Sequence, residues 1–296
     1  ALGRSYLLYF FLHRRRAGFM ELPEHFDFIA YGLGLGVAGV FARGAWALGW
    51  EPGRAIGAAF LFQGVPLFLI MGVGVRLVTA LLGWNKQAPL QIQPTGQLQK
   101  KSVTPGQLAR ARMHGVLLLA GFLIEAFGIL LGETFAGEFL RIASRIVRAA
   151  VCTWVAVETW KIYRRPPNPG RLVFWLWIAL WVLAAGLWTI ALFPATGIHG
   201  AHVLFAGGFS WVVFVIATRV TLAHGGYGFK LELGAKSIRN AGVLILLGMS
   251  TRVFAAILPR LYMRHLGYAG LCWAVGAIIW SWVFLPRILK LAPRDS

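Results

Sequence analysis

The chain has 296 residues, 58% of them hydrophobic and 13% charged, with 29 Lys+Arg against 10 Asp+Glu and a formal net charge of +19. Soluble domains are about half apolar and a quarter charged, so this composition excludes both a water-soluble enzyme built on one core and a disordered chain. The basic residues are scattered between long apolar runs, not clustered as a nucleic-acid footprint. That excludes nucleic acid as the partner and makes the lipid bilayer the environment.

In chain order, residues 1–27 read as an interfacial N-terminal anchor. Tyr6 to Leu12 is too short to span, and the basic cluster His13-Arg14-Arg15-Arg16 follows the apolar stretch, the reverse of a signal peptide. A transmembrane helix needs about 20 mostly apolar residues. Eight stretches meet that measure, at roughly 28–48, 55–82, 113–132, 143–162, 172–193, 200–223, 240–258 and 267–288. They predict an all-α fold, a polytopic transmembrane helix bundle of about 8 spans in a single domain over 28–290, with a short tail at 291–296. The fourth stretch carries Arg145 and Arg148 near its start and Glu158 near its end, so it reads as starting late or lying partly in the interface.

The distribution of basic residues orients the bundle. With both termini inside, 19 Lys/Arg fall on inner segments and 7 on outer ones, Arg141, Arg145 and Arg148 among the latter. The positive-inside rule then gives N-in and C-in. Trp46, Trp50, Trp84, Trp175 and Trp177 stand near span ends, where indole rings favour the headgroup level. Residues 83–112, rich in Gln and Pro, form a polar cytoplasmic loop suited to contact with a partner. Thr104-Pro105 is a cap and first-turn pair opening the third helix. Cys152 and Cys272 lie within spans and read as small packing residues.

Three arginines fall inside spans. An ionisable side chain at bilayer depth costs roughly 2.5–3.5 kcal/mol on insertion scales, so each needs a partner, a function or a route to the interface. Arg76, Arg219 and Arg252 stand in similar settings, GVGVRLVTALLG (72–83), VIATRVTLAHGG (215–226) and GMSTRVFAAILP (248–259), which suggests a weak internal repeat. Snorkelling to the interface suits Arg219 better than the deeper Arg252. Facing the bundle interior, such an arginine would neutralise a buried anion such as a haem propionate, a quinone oxygen or an anionic substrate. Glu125 and Glu158 are the competing partners.

Histidines mark the candidate binding positions. The sixth span opens with Ile198-His199-Gly200-Ala201-His202 and closes with Leu222-Ala223-His224-Gly225-Gly226, while His114 opens the third. His199 and His202, three apart, share a helix face. His202 and His224 are separated by roughly 33 Å at 1.5 Å per residue, so they belong to sites at opposite surfaces. Neutral imidazole is a natural ligand for haem iron or copper, which makes His114, His199, His202 and His224 candidate metal ligands. Gly207, Gly208 and Ser210 would let a flat macrocycle or a neighbouring helix approach closely. The sequence has no Walker A pattern, cysteine cluster, HExxH or CxxCH.

The stretch from His202 through Thr218-Arg219 to His224-Gly225-Gly226 resembles the signature helix of the NnrS family. Its steps of 17 residues from His202 to Arg219 and five to His224 match that signature. Residues 64–83 resemble the family's Arg-containing helix, and Arg252 falls where a later family Arg is expected. Ala223 stands where the family usually has Gly, and Gly225-Gly226 replaces Thr-Gly, so the chain reads as a shortened, divergent relative. The resemblance implies a haem b- and copper-binding inner-membrane protein linked to nitric oxide metabolism and nitrosative stress. It makes His202 and His224 the candidate ligands and Arg219 a propionate or anion partner; Arg76 and Arg252 are further candidate cofactor contacts from their place within spans. Two other readings stand beside it: a non-catalytic membrane subunit of a larger respiratory or copper-enzyme complex, contacting other subunits or quinone, and an anion transporter using the buried arginines.

Overall fold

The computed structural model describes residues 26–84, 105–224, 234 and 236–289. The N-terminal anchor, Thr104, most of the 83–112 connection, Gly225-Gly226 and the C-terminal tail lie outside these, as does the side chain of His224. Among the described residues the secondary structure is helical. We number the long helices α1 (Phe26–Ala47), α2 (Pro52–Leu82), α3 (Pro105–Leu130) and α4 (Phe135–Glu158). They are followed by α5 (Arg171–Leu192), α6 (Gly197–His202, Val203–Phe209 and Ser210–His224 in continuity), α7 (Lys236–Ile257) and α8 (Tyr262–Leu289). Seven of them, all but α4, are long and apolar enough to cross a bilayer. The chain is thus a multi-pass, all-α membrane protein. Its helices gather into two compact units, residues 1–160 and 161–296, each holding four of them.

Unit 1 contains a long antiparallel hairpin. Leu131-Gly132-Glu133-Thr134 turns α3 into α4, with Gly132 at φ 69°, a left-handed conformation that favours glycine. Thr134 then caps α4 by accepting the Gly137 amide at 3.1 Å. The register follows from three contacts. Gly128 lies against the Arg141 side chain, Gly121 against that of Arg148, and the His114 ring meets Trp154 edge-on at 4.8 Å. One further turn along, Arg110 of α3 pairs with Glu158 of α4.

That register changes the reading of α4. The helix begins at Phe135, eight residues before the predicted span, so Arg141, Arg145 and Arg148 are helical residues on the face turned to α3, not outer-loop charges. They recur at intervals of four and three, one stripe of an α-helix. Arg148 is only 3% exposed. Arg76 departs from expectation in the other direction: it is exposed on α2 and bonded to no described residue. There its long stem can carry the charge toward the headgroups.

In unit 2, α5, α6 and α7 pack through small residues. Gly208 of α6 lies against Leu183 of α5, and Gly207 lies against Val182 of α5 and the Met249 sulfur of α7. These glycines therefore serve neighbouring helices, the second of the two uses their sequence allowed. Trp175 is not a headgroup anchor. It is buried and meets Trp211 edge-on at 5.8 Å. Trp177 and Trp181 both donate to the Ile162 carbonyl, at 2.6 and 3.1 Å.

Within unit 2 the closest approach to a neighbouring backbone is at Gly186 of α5, where an added Cβ would stand 2.6 Å from both N and Cα of Leu204. Backbone cannot move aside as a flexible side chain can. Gly186→Ala is therefore expected to cost about 1–3 kcal/mol, read as a lowered thermal midpoint of the detergent-solubilised protein. Gly34→Ala, where a Cβ meets open space, is the control and leaves the midpoint unchanged or slightly higher. A wild-type midpoint for Gly186→Ala would refute this packing.

Candidate functional site

Both α2 and α6 are interrupted by π-helical segments, Ala59–Gly64 in α2 and Val203–Phe209 in α6. Such segments replace α-helical bonding in mid-helix and are frequent at functional sites. Each of them adjoins a polar cluster within its own unit.

In unit 2, the segment directly follows His202. His199 and His202 lie on the face of α6 that meets Arg252 of α7. Arg252 Nη1 is 3.3 Å from His199 Nδ1, and Arg252 Nε donates to His202 Nε2 at 3.4 Å. His202 Nδ1 bonds to the Ile198 carbonyl, which can only accept, so Nδ1 carries the proton and Nε2 presents its lone pair. His199 Nδ1 also lies 3.3 Å from the Arg252 carbonyl oxygen. Tyr262, at the start of α8, closes the group. Its ring is 5.9 Å from that of His199 and 5.8 Å from the Arg252 guanidinium carbon. Three of the sequence-predicted residues, His199, His202 and Arg252, thus come together, half-buried, where α6 begins and α7 ends.

The other predicted residues lie elsewhere. Arg219 is half-buried far along α6, next to Thr218, whose hydroxyl accepts from Trp280 Nε1 at 2.6 Å. His224 ends the same helix. His114 belongs to unit 1, buried at 3% exposure against Trp154, its Nε2 without a hydrogen-bond partner among the described residues.

Unit 1 has a cluster that the sequence reading did not assemble. Glu125 of α3, 4% exposed, pairs through Oε2 with Arg148 at 2.7 Å and through Oε1 with Arg145 at 3.1 Å. Arg148 also donates to Gln63 Oε1, in the π-helical segment of α2, at 3.4 Å, and its guanidinium lies over the Phe122 ring at 4.3 Å. Glu125 and Glu158 are therefore committed to Arg145, Arg148 and Arg110, and not to the three arginines predicted within spans. The signal available in the sequence was the stripe Arg141, Arg145, Arg148 opposite Glu125.

To a metal ion or haem iron the unit 2 cluster would offer a pair of imidazoles, the Nε2 lone pair of His202 here accepting from Arg252 Nε. One of them is fixed in tautomer by a carbonyl, as metal-bound histidines commonly are. No group of three or more His, Cys, Asp or Glu side chains gathers among the described residues, so these offer no closed four-ligand shell of the structural kind.

The fold and these clusters define a class: a polytopic α-helical membrane protein with polar sites built against π-helical interruptions. The family model described as NnrS protein matches residues 6–291, nearly the whole chain, and the chain belongs to that family. The match extends well beyond the His202–Gly226 helix that carried the resemblance in the sequence. No curated protein and no solved structure matches the chain.

Proposed function

We propose that this NnrS-family protein is a bacterial inner-membrane haem- or copper-binding protein of nitric oxide (nitrosative stress) or respiratory redox metabolism, with His199 and His202 supplying imidazole ligands. One observation carries the reading. Two histidines on one face of α6 converge on the same guanidinium, with the His202 Nε2 lone pair directed into the cluster. Haem b or copper would supply the redox chemistry when bound. The chain's own part is to fix the imidazole tautomer, place the guanidinium beside the ligands and surround them with helices. His224 ends the same helix and is the candidate for a second position at the opposite surface; His114 is a third candidate imidazole, in unit 1.

The test is an absorption spectrum and elemental analysis of the purified, detergent-solubilised chain. A Soret band or stoichiometric copper is expected. A colourless, copper-free protein that also fails to take up added haemin or Cu(I) would refute the proposal. If such a protein co-purifies with other membrane subunits, the subunit reading takes its place.

A further inference from the structure

The two units are built on one plan. Residues 57–83 align without a gap on 200–226, the shift that carries Arg76 onto Arg219, and eight of those positions are identical, including Gly57/Gly200, Leu61/Leu204 and Gly64/Gly207. The π-helical segments fall at the same place in both helices. Residues 115–131 align likewise on 242–258, with Gly-Val-Leu-x-Leu-x-Gly in each. Packing repeats with the sequence. Gly39 of α1 sits on Leu61 as Gly186 of α5 sits on Leu204, and Arg148 of α4 covers Gly121 as Cys272 of α8 covers Gly248. Helices α1 to α4 and α5 to α8 are thus tandem copies in the same order. The repeat joins Arg76 to Arg219 but not to Arg252, whose counterpart is Glu125.

That equivalence exposes a difference in charge at one position. In unit 1 it holds a carboxylate that neutralises two guanidiniums. In unit 2 it holds a guanidinium, and the place of Arg148 is taken by Cys272. Between Glu158 and Asp295 the sequence contains a single acid, Glu232. Arg252 lies sixteen residues up α7 from Lys236, about 24 Å along the helix axis. No described carboxylate pairs with Arg252; its polar side-chain partners are two imidazoles, one of them accepting from it at Nε2 while its Nδ1 bonds to a carbonyl.

Resting on the reading of this cluster as the ligand site, we infer that Arg252, with His199 and His202, binds an anion whose negative charge fills in unit 2 the role that the Glu125 carboxylate fills in unit 1. A guanidinium at membrane depth is costly without a counter-charge. Its fork of N–H donors suits a planar oxyanion or a carboxylate. The Tyr262 hydroxyl and the imidazole N–H groups are the further donors available to such a ligand. The shared chemistry is an oxygen-bearing anion, supplied either as a free small oxyanion or as the carboxylate arm of a larger ligand.

The test uses the full-length protein in detergent, with nitrate, nitrite, haemin and haemin dimethyl ester as probes. The ester keeps the macrocycle and removes its carboxylates. The expected result is saturable thermal stabilisation by nitrate or nitrite, or binding of haemin at least about tenfold tighter than its ester. The first outcome identifies a free oxyanion and the second a carboxylate arm. Arg252→Gln abolishes the effect. So does Cys272→Glu, which keeps the arginine but supplies it with the ion pair of unit 1, charges exchanged, so a poorly folding Arg252→Gln still leaves a decisive variant. No response to either oxyanion together with equal binding of haemin and ester overturns the inference, as does wild-type behaviour of Cys272→Glu. Copper uptake measured on the same samples reports on the imidazoles separately: Arg252→Gln retains it if the metal reading holds, and its absence in the wild type does not affect the anion result.

Discussion

Replacing Glu125 with leucine is expected to destabilise the protein by about 3–5 kcal/mol, the range for leaving a buried charge without its partner. Both oxygens of this carboxylate are engaged, one by Arg148 and one by Arg145, and the residue is 4% exposed. Its loss leaves two guanidiniums facing α3, and neither Gln63 nor the Phe122 ring carries a compensating charge. Arg148→Met is milder, because Glu125 keeps Arg145 and the local charge falls to zero. The double variant Glu125→Leu/Arg148→Met costs less than the sum of the two, since the remaining Arg145 is partly exposed and its stem can extend toward the interface. Thermal and denaturant midpoints of the four proteins in one detergent measure this cycle. An additive double variant, or a Glu125→Leu protein within about 0.5 kcal/mol of wild type, would show that the ion pairs do not govern the α3/α4 hairpin.

His202→Ala is expected to abolish bound haem or copper while leaving the fold intact. This residue presents the directed Nε2, and its ring is half-buried, with no packing role comparable to that of Trp211 or Leu204. His199→Ala weakens or shifts the spectrum instead of erasing it, because its Nδ1 is shared between the Arg252 guanidinium and the Arg252 carbonyl. Absorption and metal content per mole of protein, with circular dichroism as the check on folding, separate the two. Indifference of the spectrum to both substitutions would remove these histidines from the ligand set.

Seven of the eight helices were legible because apolar length is what a bilayer demands and what a sequence displays openly. The fourth was misjudged at its start for a physical reason. Counting treats every arginine as a surface charge, whereas Arg148 is buried against a carboxylate and an aromatic ring of α3 and an amide of α2. The His199/His202 pair could be read from its spacing. That Arg252 would join them could not, because fifty residues separate Arg252 from His202 and their meeting depends on how α6 and α7 pack. The likeness of the Arg76, Arg219 and Arg252 segments differs in its third member from the gapless alignment, which pairs Arg76 with Arg219 alone. Local composition pairs any two arginines near a helix end, and only the gapless alignment of whole helices assigns Arg252 to Glu125.

The π-helical segment of α6 has a consequence for the azimuth of the histidines. An α-helix advances about 100° per residue, so adding or removing one residue between Val203 and Phe209 swings everything on its N-terminal side through more than a quarter turn relative to the half that holds Trp211 and Thr218. The direction in which His199 and His202 look is therefore fixed by residue number within one short, loosely wound stretch, and a single codon gained or lost there would turn the pair from Arg252 toward a different neighbour. Unit 1 carries the same winding at Ala59–Gly64, with Ile56 and Ala59 in the histidine positions and Gln63 reaching Arg148 instead. The loosened turn thus works as an indexing joint: one helix geometry has been set to aim imidazoles in one half of the protein and an amide in the other.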